Sequence, residues 1–166
     1  MAHVDTLGAV VAEIKSNGRL RLSPVGGFNA NNAEAHNCRV YTYDGQIYEG
    51  TIQLADASLH VNKEYSTTQR TFQSVEVVLD EPVTSKDDVK ALGITNGCFV
   101  CADPNLVVTN SGYIKSRFLD DKLSAAILLG YAKYIRENNI TPLRKVYQHM
   151  TVFEEVGHGA CASIPE

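Results

Sequence analysis

The sequence predicts an α/β fold in which a core of strands and helices is interrupted by an inserted, small β-barrel-like domain. Short strand-like runs follow one another at regular spacing between residues 9 and 112, which is typical of a small barrel or sandwich. A long helical pattern follows Asp121, and an apolar strand-like run leads to Glu154. We therefore expect residues 1–8 and 113–166 to form part of the core and residues 9–112 to form the insert.

The insert is predicted from runs rich in Val, Ile, Tyr and Leu, residues that favour strands. Asn17-Gly18 and Asp44-Gly45 separate such runs, and both dipeptides are typical of hairpin turns. One short helix is expected at residues 86–92, because Ser85 is a suitable N-cap. The predicted strands are 9–14, 20–22, 38–43, 47–53, 74–79 and 98–101.

The remaining core elements are predicted from the second half of the chain. A strand at 106–109 and a turn at Ser111-Gly112 are expected first. In the helix that follows, Leu123, Ile127 and Tyr131 recur at a spacing of four, which indicates one apolar face. A last strand is expected at residues 145–153.

Composition excludes several partner classes. With 166 residues, 44% hydrophobic content and a net charge of −4, the chain is long enough for one domain or two small ones. No cluster of lysine or arginine suits nucleic acid. No apolar run has the length of a membrane span, and the N-terminus lacks the pattern of a signal peptide. We therefore expect a cytoplasmic protein without nucleic-acid or membrane partners.

The cysteines do not indicate a metal site. Cys98 and Cys101 form a single C-x-x-C inside a strand-like run, without a second pair or a suitably spaced pair of histidines. A buried structural role is the favoured interpretation, and redox or metal chemistry is the alternative. His158 follows the two glutamates closely, and we expect it to support the site or the fold without binding a metal.

Glu154 and Glu155 are the most informative residues. Neighbouring side chains on a strand point to opposite faces, so these two cannot flank one bond as a glycosidase acid/base pair. At the end of a strand, however, one carboxylate can bind a metal while the other takes a proton from the activated water. The pair therefore predicts a metal-dependent hydrolase.

Two further pairs of residues can be interpreted either as parts of a catalytic site or as ordinary structural residues. His3 and Asp5 face the same side of an extended chain, which suits a metal-bound imidazole oriented by a carboxylate. The alternative is a solvated strand face. Asp120 and Asp121 lie between a loop and a helix, where α/β folds place ligands. The alternative is that they cap the helix and complement its dipole.

Together these motifs resemble the glutamyl and tetrahedral aminopeptidase family, whose members are metallopeptidases with two co-catalytic metal ions. The resemblance implies that His3 binds one metal while Asp5 assists catalysis by orienting its ring. It further implies that Asp120 bridges both metals through a cis bond to Asp121, that Glu155 binds the second metal, and that Glu154 is the general base. The matching stretches, in order, are 2–8 (AHVDTLG), 25–27 (VGG), 116–122 (SRFLDDK) and 153–157 (FEEVG).

The resemblance also implies the wider function. We expect a partial αβα aminopeptidase core that removes N-terminal residues from peptides with two divalent ions, zinc or cobalt, and a homo-oligomer formed through the insert. The family uses an aspartate and a histidine further downstream, so we expect this chain to be an internal fragment that is inactive alone. Two alternatives remain: a non-catalytic remnant that self-associates through its β domain, and a mislabelled polysaccharide hydrolase.

Overall fold

The computed structural model describes residues 1–159 and divides the chain into two units. One unit is Leu7–Asp103, and the other combines Met1–Thr6 with the described chain from Pro104 onward. The expected insert, residues 9–112, overlaps most of the unit Leu7–Asp103, and the division into core and insert stays a prediction. Residues 107–115, at the end of the expected insert, contain a short hairpin of their own. The part of the predicted core at 160–166 lies outside the described residues.

The unit Leu7–Asp103 is a closed barrel of six strands, as the regular strand spacing predicted. Buried and more exposed residues alternate along most of these strands, so one face fills the barrel and the other faces outward. The strands, in the order in which they pair round the barrel, are β2 (Gly8–Ile14), β3 (Leu20–Val25), β6 (Val75–Leu79), β5 (Ile47–Leu54), β4 (His36–Tyr41) and β7 (Phe99–Ala102).

Close packing between β5 and β6 explains a glycine inside a strand. A Cβ atom at Gly50 would lie 2.6 Å from the carbonyl oxygen of Val78, which is closer than two such atoms approach in proteins. The core of this unit is largely aliphatic, and its largest fully buried side chains include Leu20, Ile52 and Leu54. Only glycine therefore lets these two strands approach.

The turns and the short helix of the barrel unit follow their sequence signals. Gly18 and Gly45 adopt φ values of +80° and +85°, which glycine reaches without strain, and each closes a hairpin. Helix α1 (Lys86–Ala91) begins after Ser85, which forms a capping box with Asp88. A 3-10 turn also lies at Ala30–Asn32.

The two cysteines of the C-x-x-C have structural surroundings. Cys98 is buried, and its sulfur accepts a hydrogen bond from the backbone N–H of Thr95. Burial raises the pKa of the half-buried Cys101 thiol. A thiol with a raised pKa is a poor nucleophile and metal ligand at neutral pH, so the structure agrees with the buried structural interpretation.

The other unit contains two short pairs of strands and one long helix. Strand β1 (Ala2–His3) lies parallel to β10 (Met150–Thr151), and β8 (Val107–Val108) pairs with β9 (Ile114–Lys115). Helix α2 spans Leu119–Glu137, and a 3-10 turn spans Glu154–Val156. Among residues 1–159, no helix is long and apolar enough to cross a membrane.

The predicted strand at 145–153 is wrong in extent, because only Met150–Thr151 is a strand. A strand requires a neighbour along its whole length to satisfy its backbone groups, and β1 offers only two residues. Residues 145–148 lie outside this pairing, and the Gln148 side chain donates to the carbonyl of Leu128 in α2. An apolar run therefore marked the strand correctly but did not set its limits.

Candidate functional site

His3 occupies the centre of the site because β1 is held between β10 and the start of α2. The backbone N–H groups of Ala2 and Val4 donate to the carbonyls of His149 and Thr151, at 3.0 and 2.9 Å. These bonds fix the short strand in parallel register with β10. The His3 side chain is only 8% exposed, so its ring is buried in the site with a fixed direction.

Carboxylates surround both nitrogens of the His3 ring. Its Nδ1 atom lies 3.3 Å from Oδ1 of Asp5. Its Nε2 atom lies 3.2 Å from Oδ1 of Asp120 and 3.5 Å from Oε2 of Glu154. The structure thus brings together the histidine and three of the four carboxylates that the sequence predicted, from positions 3 to 154 of the chain.

Asp5 links the histidine to the segment that contains both glutamates. Its Oδ2 atom accepts a hydrogen bond of 3.0 Å from the backbone N–H of Glu155. Its other oxygen, Oδ1, and the Nδ1 atom of His3 are both buried and have no hydrogen-bond partner. Since these two atoms face each other, a small rotation of the ring completes the bond, which suits the orienting role expected of Asp5.

Asp120 and Asp121 precede the regular part of α2 and are joined by a cis peptide bond, as expected. Both residues have non-helical backbone angles. The Asp120 side chain is 91% exposed beside the ring of His3. Asp121 instead turns back into the protein, where it accepts hydrogen bonds from Ser124 and from the His3 N–H. The capping interpretation therefore holds for Asp121, while Asp120 faces the site.

Glu154 and Glu155 lie in a 3-10 turn just after β10, and not on the strand itself. Gly157 ends this turn with a φ of +83° and donates its N–H to the carbonyl of Glu154 at 2.8 Å. The turn lets two adjacent side chains serve one site, which a continuous strand would forbid. Glu154 approaches His3, and Glu155 is anchored through its N–H.

The charges of the cluster shift three pKa values. Burial alone lowers the pKa of His3, but its contact with Asp120 and the negative charges of Glu154 and Asp5 outweigh that effect and raise it. Burial works in the opposite direction on Asp5, whose pKa is nevertheless lowered, chiefly by the N–H of Glu155. Burial raises the pKa of Glu155, and the nearby carboxylates add to that rise. Such mutual shifts are typical of a functional cluster.

The site partly fits a divalent metal. Two ligands of a tetrahedral zinc, each at about 2.0–2.2 Å, lie roughly 3.3 Å from each other, and His3 Nε2 and Asp120 Oδ1 are 3.2 Å apart. Imidazole and carboxylate are also suitable donors for zinc or cobalt. Within residues 1–159, however, no group of three or more His, Cys, Asp or Glu side chains is arranged to hold a metal ion. The described residues alone thus form no complete ligand set.

A small cavity of about 280 Å³ opens beside the cluster. His3, Asp120 and Glu154 all line it, so the residues of the cluster face a common space. The other lining residues are Met1, Ala2, Asp121 and Thr151. His158, in contrast, is exposed, and its N–H donates to the carbonyl of Phe153 at 2.9 Å, which agrees with a role in the fold of this turn.

Sequence reasoning missed two residues near the site. Asp121 was considered only as a partner of Asp120 or as a cap, and Lys122 was not considered. The structure shows that Lys122 donates to the carbonyl of Val4 at 2.6 Å. No sequence signal predicts such contacts between side chain and backbone, since the two partners of each contact lie 118 residues apart.

Comparisons with known proteins identify the family of this chain. The model of the M42 glutamyl aminopeptidase family matches residues 1–166. YhfE of Bacillus subtilis (strain 168), which is described as an inferred aminopeptidase, is 43% identical over 164 residues, covering 99% of this chain and 47% of YhfE. This chain therefore spans less than half the length of that relative.

Solved structures show the same fold. An aminopeptidase from the archaeon Desulfurococcus kamchatkensis has a TM-score of 0.74 at 24% identity, over 94% of this chain and 40% of the other. The TET1 peptidase of Pyrococcus horikoshii, which can assemble into a tetrahedron or a large octahedral shell, has a TM-score of 0.72 at 25% identity, over 95% and 45%. With a family match along its whole length, the chain belongs to the M42 glutamyl aminopeptidase family.

Proposed function

We propose that this sequence forms the central part of the active site of a metal-dependent aminopeptidase that removes N-terminal residues from peptides. The observation that supports this most is the cluster around His3, in which Asp5, Asp120 and Glu154 approach one imidazole within 3.5 Å. Aminopeptidase chemistry needs a ligand set, a general base and an open side, and the residues of this cluster can fill the first two roles.

His3, Asp120 and Glu155 would hold the metal ions, with further ligands from outside the described residues. His3 and Asp120 stand side by side, and the Glu155 carboxylate lies close enough for their charges to affect its pKa. When bound, two divalent ions polarise the scissile carbonyl and lower the pKa of water. Zinc and cobalt both suit this donor set.

Glu154 would act as the general base. Its side chain is 58% exposed at the cavity and lies 3.5 Å from His3 Nε2, so it has access to water and substrate beside the expected metal ligand. In the proposed role Glu154 takes a proton from the attacking water and returns it to the departing amine. Asp5 orients the ring of His3 by accepting from Nδ1, which leaves the Nε2 lone pair facing the site.

The test uses a chimera in which this chain replaces the matching part of YhfE. Glu154→Gln is expected to lower turnover of an aminoacyl-anilide about 10²–10⁴-fold while metal content stays unchanged, because a base is lost but no ligand. Glu155→Gln is expected to lower metal content as well as turnover. Glu137→Gln, in an exposed carboxylate of α2, is the matched control and is expected to change neither.

Equal metal loss in the two site variants would contradict the assignment of base and ligand. An active chimera whose turnover survives Glu154→Gln would contradict the proposed base. Unmodified YhfE, assayed beside the chimera, shows that the assay itself detects the activity.

Self-association through the β unit is the second part of the proposal. On the outside of the barrel, Tyr41 stands in register with Ile47 on one side and Phe99 on the other. Ile47 and Phe99 are 53% and 56% exposed, which is unusual for three adjacent apolar side chains on a monomer surface. Light scattering after gel filtration tests this: Phe99→Glu is expected to lower the molar mass, whereas Val61→Glu, elsewhere on the unit, is not.

The family match favours neither alternative function. A non-catalytic remnant predicts a chimera without turnover. A reducing-sugar assay and the aminoacyl-anilide assay on the same chimera distinguish the three.

A further inference from the structure

We propose that Asp121 and Lys122 are positioning residues that hold the backbone on both sides of the His3 ring and so place that ring against Asp120 and Glu154. Neither residue touches the ring. Asp121 Oδ2 accepts from the backbone N–H of His3 at 3.3 Å, and Lys122 Nζ donates to the carbonyl of Val4 at 2.6 Å. We call these two contacts the β1 clamp.

The clamp acts where β1 is otherwise free. Ala2 and Val4 donate their N–H groups to β10. Successive N–H groups of an extended chain point to opposite edges, so the N–H of His3 faces away from β10. Among residues 1–159 no second strand pairs with β1 on that edge. The N–H belongs to a buried residue and requires a partner, which Asp121 provides.

The position of the clamp in the chain couples it to Asp120. Asp121 follows Asp120 directly, and Ser124 hydrogen-bonds to Asp121 through its hydroxyl and its backbone N–H. The start of α2 is thus fixed to Asp121, and Asp121 is fixed to His3. Any shift of β1 relative to α2 changes the 3.2 Å separation between His3 Nε2 and Asp120 Oδ1, since these contacts and the pairing with β10 hold a strand of two residues.

Helix capping alone does not explain the contacts of Asp121. A helix cap requires only the Ser124 contacts. The contact with His3 spans 118 residues and adds nothing to the cap. Lys122 makes a second long-range contact, to the carbonyl of Val4, the residue that follows β1. Two neighbouring residues thus hold the peptide group before His3 and the peptide group after Val4, which points to positioning of His3.

The role of the β1 clamp rests on the proposed metal site, but the test measures the clamp and the metal site separately. In the 166-residue chain, amide hydrogen exchange at His3 is measured by NMR, and zinc affinity is measured by calorimetry. Asp121→Ala is expected to speed exchange at His3 about tenfold or more, because a charge-assisted bond is lost. It is also expected to weaken zinc binding about 10–100-fold, as losses of supporting contacts do at metal sites.

Three further variants keep the test decisive. Asp121→Asn retains an acceptor oxygen, so slow hydrogen exchange at His3 and zinc affinity are both expected to be largely preserved. Ser124→Ala removes the hydroxyl contact of the cap and leaves the clamp, so both properties are expected to stay near the unmodified values. Lys122→Met keeps most of the side-chain stem, loses the donor to Val4, and is expected to weaken zinc binding without loss of helix content by circular dichroism.

The contradicting results are distinct. Faster exchange at His3 with unchanged zinc affinity would show that the contact does not position the ring. Equal effects of Ser124→Ala and Asp121→Ala would reduce Asp121 to a cap. If Asp121→Ala does not fold, an unchanged zinc affinity in Lys122→Met would contradict the proposal that the β1 clamp positions His3. An unmodified chain that binds no zinc would count against the proposed metal site, while hydrogen exchange still decides whether the clamp exists.

Discussion

Replacement of Asp5 separates the stability of the site from its chemistry. Asp5→Ala removes the acceptor for the Glu155 N–H and is expected to cost about 1.5–3 kcal/mol, the usual contribution of a hydrogen bond to a charged group. Asp5→Asn can keep that bond through its amide oxygen. Its NH₂ group then faces Nδ1 of His3, 3.3 Å from the atom it replaces.

The asparagine therefore forces His3 into the wrong tautomer. Nδ1 has to accept from the NH₂ group, so the ring proton moves to Nε2 and occupies the lone pair that faces Asp120. We expect Asp5→Asn to lower zinc affinity about 10–100-fold, as much as Asp5→Ala. Its stability in urea, by contrast, is expected to stay within about 0.5 kcal/mol of the unmodified chain.

Urea denaturation and zinc calorimetry on both variants measure these two quantities. Asp87→Asn, in a 93% exposed carboxylate of the barrel unit, is the control and is expected to change neither. An Asp5→Asn chain that binds zinc as tightly as the unmodified chain would refute the reasoning, because the tautomer of His3 would then not depend on Asp5.

Three further predictions concern the barrel unit. Glu76 is buried and forms ion pairs with Lys15 and Arg19. Glu76→Gln is expected to lower the free energy of unfolding, measured by urea denaturation, by about 1–3 kcal/mol. The loss is limited because both cations remain near water. Gly50→Ala is expected to be at least as destabilising, because its Cβ would meet a backbone carbonyl, and a normal melting temperature would contradict that. The pKa of Asp88 lies below its ordinary 3.8, chiefly because its carboxylate accepts from the N–H of Thr84. Its contribution to the free energy of unfolding is therefore complete above pH 3.8 and disappears as the pH falls through the folded-state pKa. Asp88→Asn is expected to reduce this loss of stability at acid pH, which urea denaturation at several pH values measures.

The barrel was the part of the fold that the sequence predicted best. Its strands carry their own signals, namely alternating burial, β-branched residues and glycine turns such as Asp44-Gly45, and each strand pairs mostly with another strand of the same unit. The predicted strand at 145–153 was wrong in extent because its partner, β1, has only two residues. Strand limits depend on the partner, and the partner lies at the other end of the sequence.

The sequence motifs identified residues that lie close together in the structure, but they did not predict the contacts that hold them. His3, Asp5, Asp120 and Glu154 were identified from short motifs and from their order, and the structure places them together. The roles assigned to them remain predictions. What the motifs omitted were contacts between side chains and backbone, above all the contact of Asp121 with the His3 N–H. Such contacts depend on the final path of the backbone, which no local pattern encodes.

The most direct test of the account is to locate the metal. Crystals of the YhfE chimera, grown with zinc and measured at wavelengths on both sides of the zinc absorption edge, give an anomalous map of every zinc ion. The account predicts a peak within coordination distance, about 2.0–2.2 Å, of His3 Nε2 and of an Asp120 carboxylate oxygen, with Glu155 at a second peak nearby. A fully occupied zinc elsewhere, with no peak beside His3 and Asp120, would contradict the central claim that this cluster is the catalytic metal site.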